Sequence, residues 1–205
     1  PGNSINLRLR YPNTIGKLSE VTAAIAEAGG SVGSVEVVKS DRTHITRDIT
    51  VNTTGDAHAE SVTNAARAVP GVELVDVWDC TFKLHEGGKL EVVSTSKLKD
   101  YVDLSMAYTP GVARICTALH KDPSVARKYT IRRNTVGIVT DGTAVLGSGN
   151  IGALASLPVM EGKAVLFKEF GGVNAFPVCV DTKDTDVLVE TARAVSVTFG
   201  GINLE

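Results

Sequence analysis

Cysteine is scarce and scattered in this sequence. Its three residues, Cys80, Cys116 and Cys179, form no C-x-x-C pair. A disulfide framework and a cysteine-based zinc site are therefore not expected, and a reducing, cytoplasmic setting is. No apolar run approaches the ~20 residues that span a bilayer, which argues against a transmembrane helix. Neither sign of charge dominates. Lys and Arg total 21 against 23 Asp and Glu, a formal net charge of -2, which excludes the surplus of cations that a general nucleic-acid binder needs. The four histidines, His44, His58, His85 and His120, include no i, i+4 pair, so no two imidazoles share a helical face for a metal. His44 and His58 read as surface residues. Residues 1–10 are polar and basic, so no secretory leader is expected there.

What the chain does have is 43% hydrophobic residues over 205 positions, enough for one or two domains with real cores. It begins with Pro1 and stops at Glu205 directly after the apolar, glycine-rich stretch 199–204. Natural termini are more often polar, and the sequence reads as a piece of a longer protein.

Residues 5–11 alternate apolar and polar as a half-buried strand does. Residues 12–16 have turn composition, and Leu18, Val21, Ile25 and Ala28 then recur on one helical face. Gly29-Gly30 ends that helix. Residues 31–40 and 43–54 read as strands joined at Asp41-Arg42. A second helix is expected from Gly55 or Asp56 to 69, with Val62, Ala65, Ala66 and Val69 inward, and a fourth strand over 72–82. The order βαββαβ builds a two-layer, ferredoxin-like α+β sandwich. These features, with the loop ending in Gly16 and the Gly29-Gly30 turn, resemble an ACT domain over residues 5–82. The resemblance implies a regulatory module (1–82) that binds an amino acid or other small effector through Asn13, Thr14 and Gly16. Alternatively Gly16 is a turn residue and the module only pairs two chains into a homodimer.

Residues 83–88 are polar with a glycine pair and read as a linker. Helical patterning runs over 97–107, then breaks at Tyr108-Thr109-Pro110-Gly111, with a new helix expected from Pro110. Residues 135–141 form a buried strand, and 143–146 extend it or form a short second strand. Gly147, Gly149 and Gly152 then match G-x-G-x-x-G, with Glu169 at the distance of a ribose-binding acid. Only about 50 residues follow, too few for a six-stranded dinucleotide-binding sheet, and Pro158 is expected to interrupt the following helix. The loop is left as one that approaches a cofactor phosphate from outside. Lys163 is placed just before an apolar strand, as a candidate base or as a lysine that snorkels to the surface. A glycine turn and a buried strand follow, then a helix over 185–195 and a strand-like end over 198–205.

Taken together, the segments SMAYTPGVA (105–113), VTDGTAVLGSGNIG (139–152), LPVMEGKAVLFKEFGGVNAFPVCVDT (157–182) and FGGINLE (199–205) resemble the substrate domain of malic enzymes of the compact bacterial type, over about residues 88–205. That family's fold implies a mixed α/β domain at 89–205, truncated before an NAD(P)-binding domain. Its activity is oxidative decarboxylation of L-malate to pyruvate and CO2 with NAD or NADP and Mg2+ or Mn2+. The resemblance assigns Tyr108 as the acid that protonates the enolate carbon, Lys163 as the base that takes the malate hydroxyl proton, and Glu205 as the first metal carboxylate. The sequence departs from the family pattern at Ser148, where Leu is usual, and at Asn174, where Asp is common. Thr143-Ala144 stands where larger members carry an arginine for a malate carboxylate.

Two other readings remain. One is a sensing or dimerisation module with no catalysis in this chain. The other is a small complete dinucleotide enzyme built on 147–152, which predicts nucleotide binding by these 205 residues alone. The malic reading predicts an inactive chain by itself.

Overall fold

The computed structural model describes residues 3–205, so the reading based on Pro1 lies outside the described residues. The chain divides into two compact units, the first running to Glu86 and the second beginning at Gly87.

The first unit contains β1 (Asn3–Pro12), α1 (Lys17–Glu27), β2 (Ser31–Ser40), β3 (His44–Thr53), α2 (Asp56–Ala68), β4 (Glu73–Asp79) and α3 (Cys80–His85). The strands form one antiparallel sheet in the order β2-β3-β1-β4. Alternation fixes the register. Leu7 lies opposite Ile49 and Ile5 opposite Val51, and all four belong to the core with Leu9, Tyr11, Val21, Ile25 and Val62. A one-residue slip would turn that whole set to the polar face. On that other face Arg8 donates to both carboxylate oxygens of Asp48 at 2.8 Å and lies over the Trp78 ring.

The expected strand over 72–82 stops at Asp79 instead. The Asp79 carboxylate accepts the backbone N–H groups of Thr81 and Phe82 at 2.7 and 2.9 Å. That is an N-cap, and it starts α3, which takes up residues 83–85 of the expected linker. His58 is half-buried, contrary to the surface reading. Its Nδ1 accepts the Thr54 N–H at 3.0 Å, so Nε2 carries the proton and donates to the Ala28 carbonyl at 3.0 Å. The ring thus closes the exposed end of α1 onto α2.

The second unit contains α4 (Tyr101–Ala107), α5 (Val112–Lys121), α6 (Ala126–Tyr129), β5 (Thr135–Thr140), α7 (Ala153–Gly171), β6 (Asn174–Cys179), α8 (Thr185–Val195) and β7 (Gly201–Leu204). Short 3-10 turns flank α6 at Pro123–Val125 and Ile131–Arg133. The three strands are parallel, in the order β6-β5-β7. The central strand is the most deeply covered, as an apolar TVGIVT run predicts for a strand with neighbours on both edges.

Three local expectations give way here. Residues 143–146 do not extend β5: they bend away because the Asp141 carboxylate captures Thr143, and only Val145 forms a single bridge, to Gly149. The helix expected from Pro110 begins at Val112. Pro158 does not break α7, and Lys163 does not precede a strand: α7 runs unbroken through both. An internal proline costs about 3 kcal/mol. Ser156, Met160 and Ala164 are buried on the sheet side of α7, and Met160 and Ala164 pack with Ile138. Burying Met160 contributes roughly 1.5–3 kcal/mol, comparable to that cost.

Candidate active site

The carboxyl ends of parallel strands are where open α/β sheets place their ligand-binding residues. In the second unit these ends carry Asp141 after β5, Asp181 beyond β6 and Glu205 after β7. Glu205 is fixed in the backbone by donating its N–H to the Val139 carbonyl at 3.0 Å. Its carboxylate forms an ion pair with the Lys163 ammonium. Lys163 sits in the middle of α7, one turn from the buried Met160 and beside Ala164. The helix therefore aims this lysine along the sheet to the end of β7. Both side chains are less than a third exposed, so water screens the pair less than it would a surface pair.

Asp141 is held by local geometry. Its Oδ1 accepts the Thr143 hydroxyl at 2.6 Å and the Thr143 N–H at 2.9 Å. The Thr143 hydroxyl is the main reason that its carboxyl stays below the usual carboxylate range. The loop then folds back on itself. The Gly142 carbonyl accepts the N–H groups of both Ile151 and Gly152, at 3.0 and 3.1 Å. Gly142 has φ +73°, and a Cβ there would lie 2.2 Å from the Gly152 carbonyl oxygen. Only glycine fits this crossing.

That clasp decides how Gly147, Gly149 and Gly152 are used. A phosphate cradle needs a row of free N–H groups. Here the amides of Ser148 and Gly149 donate to Val145, and those of Ile151 and Gly152 to Gly142. Most of the loop's donors are spent inside it, so the residues do not fit a pyrophosphate. A dinucleotide enzyme complete within this sheet is also not what forms: the sheet has three strands among the described residues. Glu169 lies near the end of α7 and not at the end of a following strand.

Glu205 stands without the further acids that a hard cation takes. No three His, Cys, Asp or Glu residues gather into a metal-binding group among the described residues. One carboxylate, already paired with an ammonium, does not make a divalent-cation site.

Tyr108 makes no hydrogen bond to either member of this pair among the described residues. It ends α4, is 70% exposed, and no hydrogen bond of its hydroxyl is formed among the described residues. Its backbone is well held: its N–H donates to Leu104 and its carbonyl accepts from Val112, at 2.9 and 2.8 Å. Gly111 lets the chain close on itself, since a Cβ there would lie 2.5 Å from the Ser105 carbonyl oxygen. No residue of α4 or α5 is buried. The sequence reading passed over Asp181 and Cys179. They line a cleft of about 420 Å³ with Ala153, Leu154 and Leu157. The signal available was the fall from an apolar strand to an acid at 178–181.

In the first unit, Asn13, Thr14 and Gly16 lie on one exposed loop. The Asn13 side chain donates to the Asp41 carbonyl at 3.2 Å and its N–H to the Thr43 carbonyl at 2.9 Å. The loop is thus tied to the β2–β3 hairpin, and Gly16 opens α1 with φ +89°.

Comparison with known proteins places this geometry. Residues 87–194 match the family "Malic enzyme, N-terminal domain". The chain belongs to the malic enzyme family. It is 49% identical over 98% of its length to an NAD-dependent malic enzyme of Geobacillus stearothermophilus, covering 42% of that protein. It is 40% identical over 97% of its length to NAD-dependent malic enzyme 1 of Bacillus subtilis, covering 46%. The chain therefore spans less than half the length of these malic enzymes. Among solved structures, malic enzyme from Pyrococcus horikoshii superposes with a TM-score of 0.59 and 45% identity, over 60% of this chain and 30% of that one. NAD-dependent malic enzyme from Thermotoga maritima gives 0.58 and 43%, over 60% and 35%. Among the described residues no helix is long and apolar enough to cross a membrane.

Proposed function

We propose that this chain is the malate-handling part of a malic enzyme, preceded by a small regulatory module. The whole protein would convert L-malate to pyruvate and CO2 with NAD or NADP. Relatives named for each nucleotide are similar to this chain. The observation that carries the reading is the Lys163–Glu205 pair, which joins two separate motifs at the carboxyl end of one parallel sheet.

The chemistry asks for two proton movements. A base must take the proton from the malate C2 hydroxyl as hydride leaves the same carbon, giving the 2-oxo acid. Lys163 is the proposed base; it must first give up the proton of the ammonium that pairs with Glu205 before it can take this one. Loss of CO2 then leaves an enolate. An acid must protonate its carbon, and Tyr108 is assigned that role through its Tyr-Thr-Pro-Gly setting. The hydride acceptor and the divalent cation would come with parts of the site that these residues do not form, and no step is assigned to them.

Residues 1–82 are read as an ACT-like, ferredoxin-like module, 83–88 as the link and 89–205 as the substrate domain. The βαββαβ order and the β2-β3-β1-β4 sheet support this. Asn13, Thr14 and Gly16 are the proposed effector loop, homodimerisation is the expected assembly, and the cytoplasm the expected location. The deciding experiment is Lys163→Ala in the full-length protein. Malate-dependent NAD(P) reduction should fall by at least a thousandfold, and a normal kcat would overturn the assignment.

A further inference from the structure

The helix that carries Lys163 is weakest in the turn just before that residue. Pro158 brings no N–H to the hydrogen-bond ladder of α7, and Gly162 is among the poorest helix formers. Standing four residues apart, the two lie on one face of the helix. A proline in a helix is where it bends most readily. A bend there would redirect Lys163, because a long helical side chain leans back over the turn that precedes it. Its partner cannot follow such a swing, since the Glu205 N–H is bound to the Val139 carbonyl.

That turn is held from outside the helix. Gly87 and Gly88, both at φ +80°, turn the chain where the second unit begins. Lys89 then lies against α7. Its backbone N–H donates to Glu161 Oε2 at 3.0 Å, and its ammonium donates to the Pro158 carbonyl at 2.8 Å. The ammonium also reaches over Gly162, where an added Cβ would stand 3.6 Å from Nζ. A Cβ on Gly88 would lie 3.4 Å from Glu161 Oε1, so this glycine lets the backbone approach the carboxylate closely. One residue thus grips both ends of the weak turn, at 158 and at 161. Lys89, Glu161 and Lys163 are all partly shielded from water, and hydrogen bonds with a charged partner are stronger than neutral ones. Merely anchoring the start of the second unit needs one contact anywhere on its surface. These contacts span the Pro158–Gly162 turn and end beside Lys163.

We propose that Lys89 and Glu161 are positioning residues: together they brace α7 and so aim Lys163 at the carboxyl end of β7. Their part in turnover rests on the reading of Lys163 as the malate base; their part in the geometry does not.

Two measurements keep these apart. On the 205-residue chain, the NMR cross-peak between Lys163 Hε and Glu205 Hγ reports the aim of the lysine. Glu161→Ala should weaken it at least fivefold, and Glu161→Gln, which keeps an acceptor for the Lys89 N–H, should retain it. Lys89→Met, which removes the ammonium and keeps the stem, should weaken it at least twofold and takes the place of Glu161→Ala if that variant does not fold by circular dichroism. In the full-length protein, Glu161→Ala should lower kcat for malate at least tenfold with KM changed less than twofold, and Glu161→Gln should recover most of the loss. A cross-peak as strong as the parent's in Glu161→Ala or Lys89→Met would overturn the brace. So would a kcat loss that Glu161→Gln fails to recover. A weakened cross-peak with unchanged kcat would uphold the brace and remove Lys163 from the chemistry, as a normal kcat for Lys163→Ala would do independently.

Discussion

Lys163 of α7 and Glu205 after β7 form an ion pair across 42 positions of sequence. The backbone N–H of Glu205 is bound to β5, so the lysine is aimed at a fixed carboxylate. The pair couples the middle of the longest helix to the end of the sheet.

Glu205→Gln keeps the shape and removes the charge. A partly exposed ion pair contributes about 1 kcal/mol or less. Urea unfolding of the chain should therefore show a loss of about that size, while malate turnover by the full-length protein should drop by at least a hundredfold. A loss of activity matched by a collapse of stability would count against a role in the site.

Gly142→Ala should be far more damaging than Gly147→Ala. Both residues have positive φ, so each substitution carries the left-handed penalty of roughly 1–2 kcal/mol. At Gly142 the new methyl also meets the Gly152 carbonyl at 2.2 Å, while at Gly147 it meets nothing within 4 Å. Thermal unfolding should place Gly142→Ala well below Gly147→Ala. Equal Tm values would mean that the clasp does not form.

The Asp41 carboxyl is lowered to about 2 by the backbone N–H groups of His44 and Thr43 and by the Thr43 hydroxyl. Its folded value lies below its unfolded value. Its contribution is therefore complete above about pH 4 and is lost as pH falls through about 2. Carboxyl NMR titration should find its midpoint near the bottom of the Asp set, and Asp41→Ala should remove that part of the acid dependence. A midpoint near the ordinary value would refute the three-donor arrangement.

Leu9→Ala and Ile15→Ala test the core. Leu9 is fully buried and Ile15 fully exposed. The first should cost about 2–5 kcal/mol and the second almost nothing, read from denaturant midpoints.

Much of this was legible in sequence because the signals were local. Leu18, Val21 and Ile25 mark one helical face, and α1 forms over Lys17–Glu27 with Val21 and Ile25 buried. The helix over 185–195 matches at both ends, because Asp184 caps it in a way that needs only its near neighbours. Where the reading failed, a competing interaction won. Asp79 looked like one more polar position in an alternating strand, but its carboxylate took the next two amides and turned the chain into α3. Pro158 looked like a stop, but Met160 and Ala164 had a sheet to pack on. The six-residue glycine motif suggested a phosphate loop, and its amides went to Gly142 and Val145 instead.

The sequence by itself determined the strand and helix order of residues 3–79, the inward residues of β1 and β3, and the four motifs that mark the family, because periodicity and turn chemistry act over a few residues. Only the tertiary structure decided that Lys163 is helical and meets Glu205, and that the glycine loop closes on itself. Those outcomes depend on which distant groups reach each other first-hand in the fold, and a linear pattern does not contain that distance.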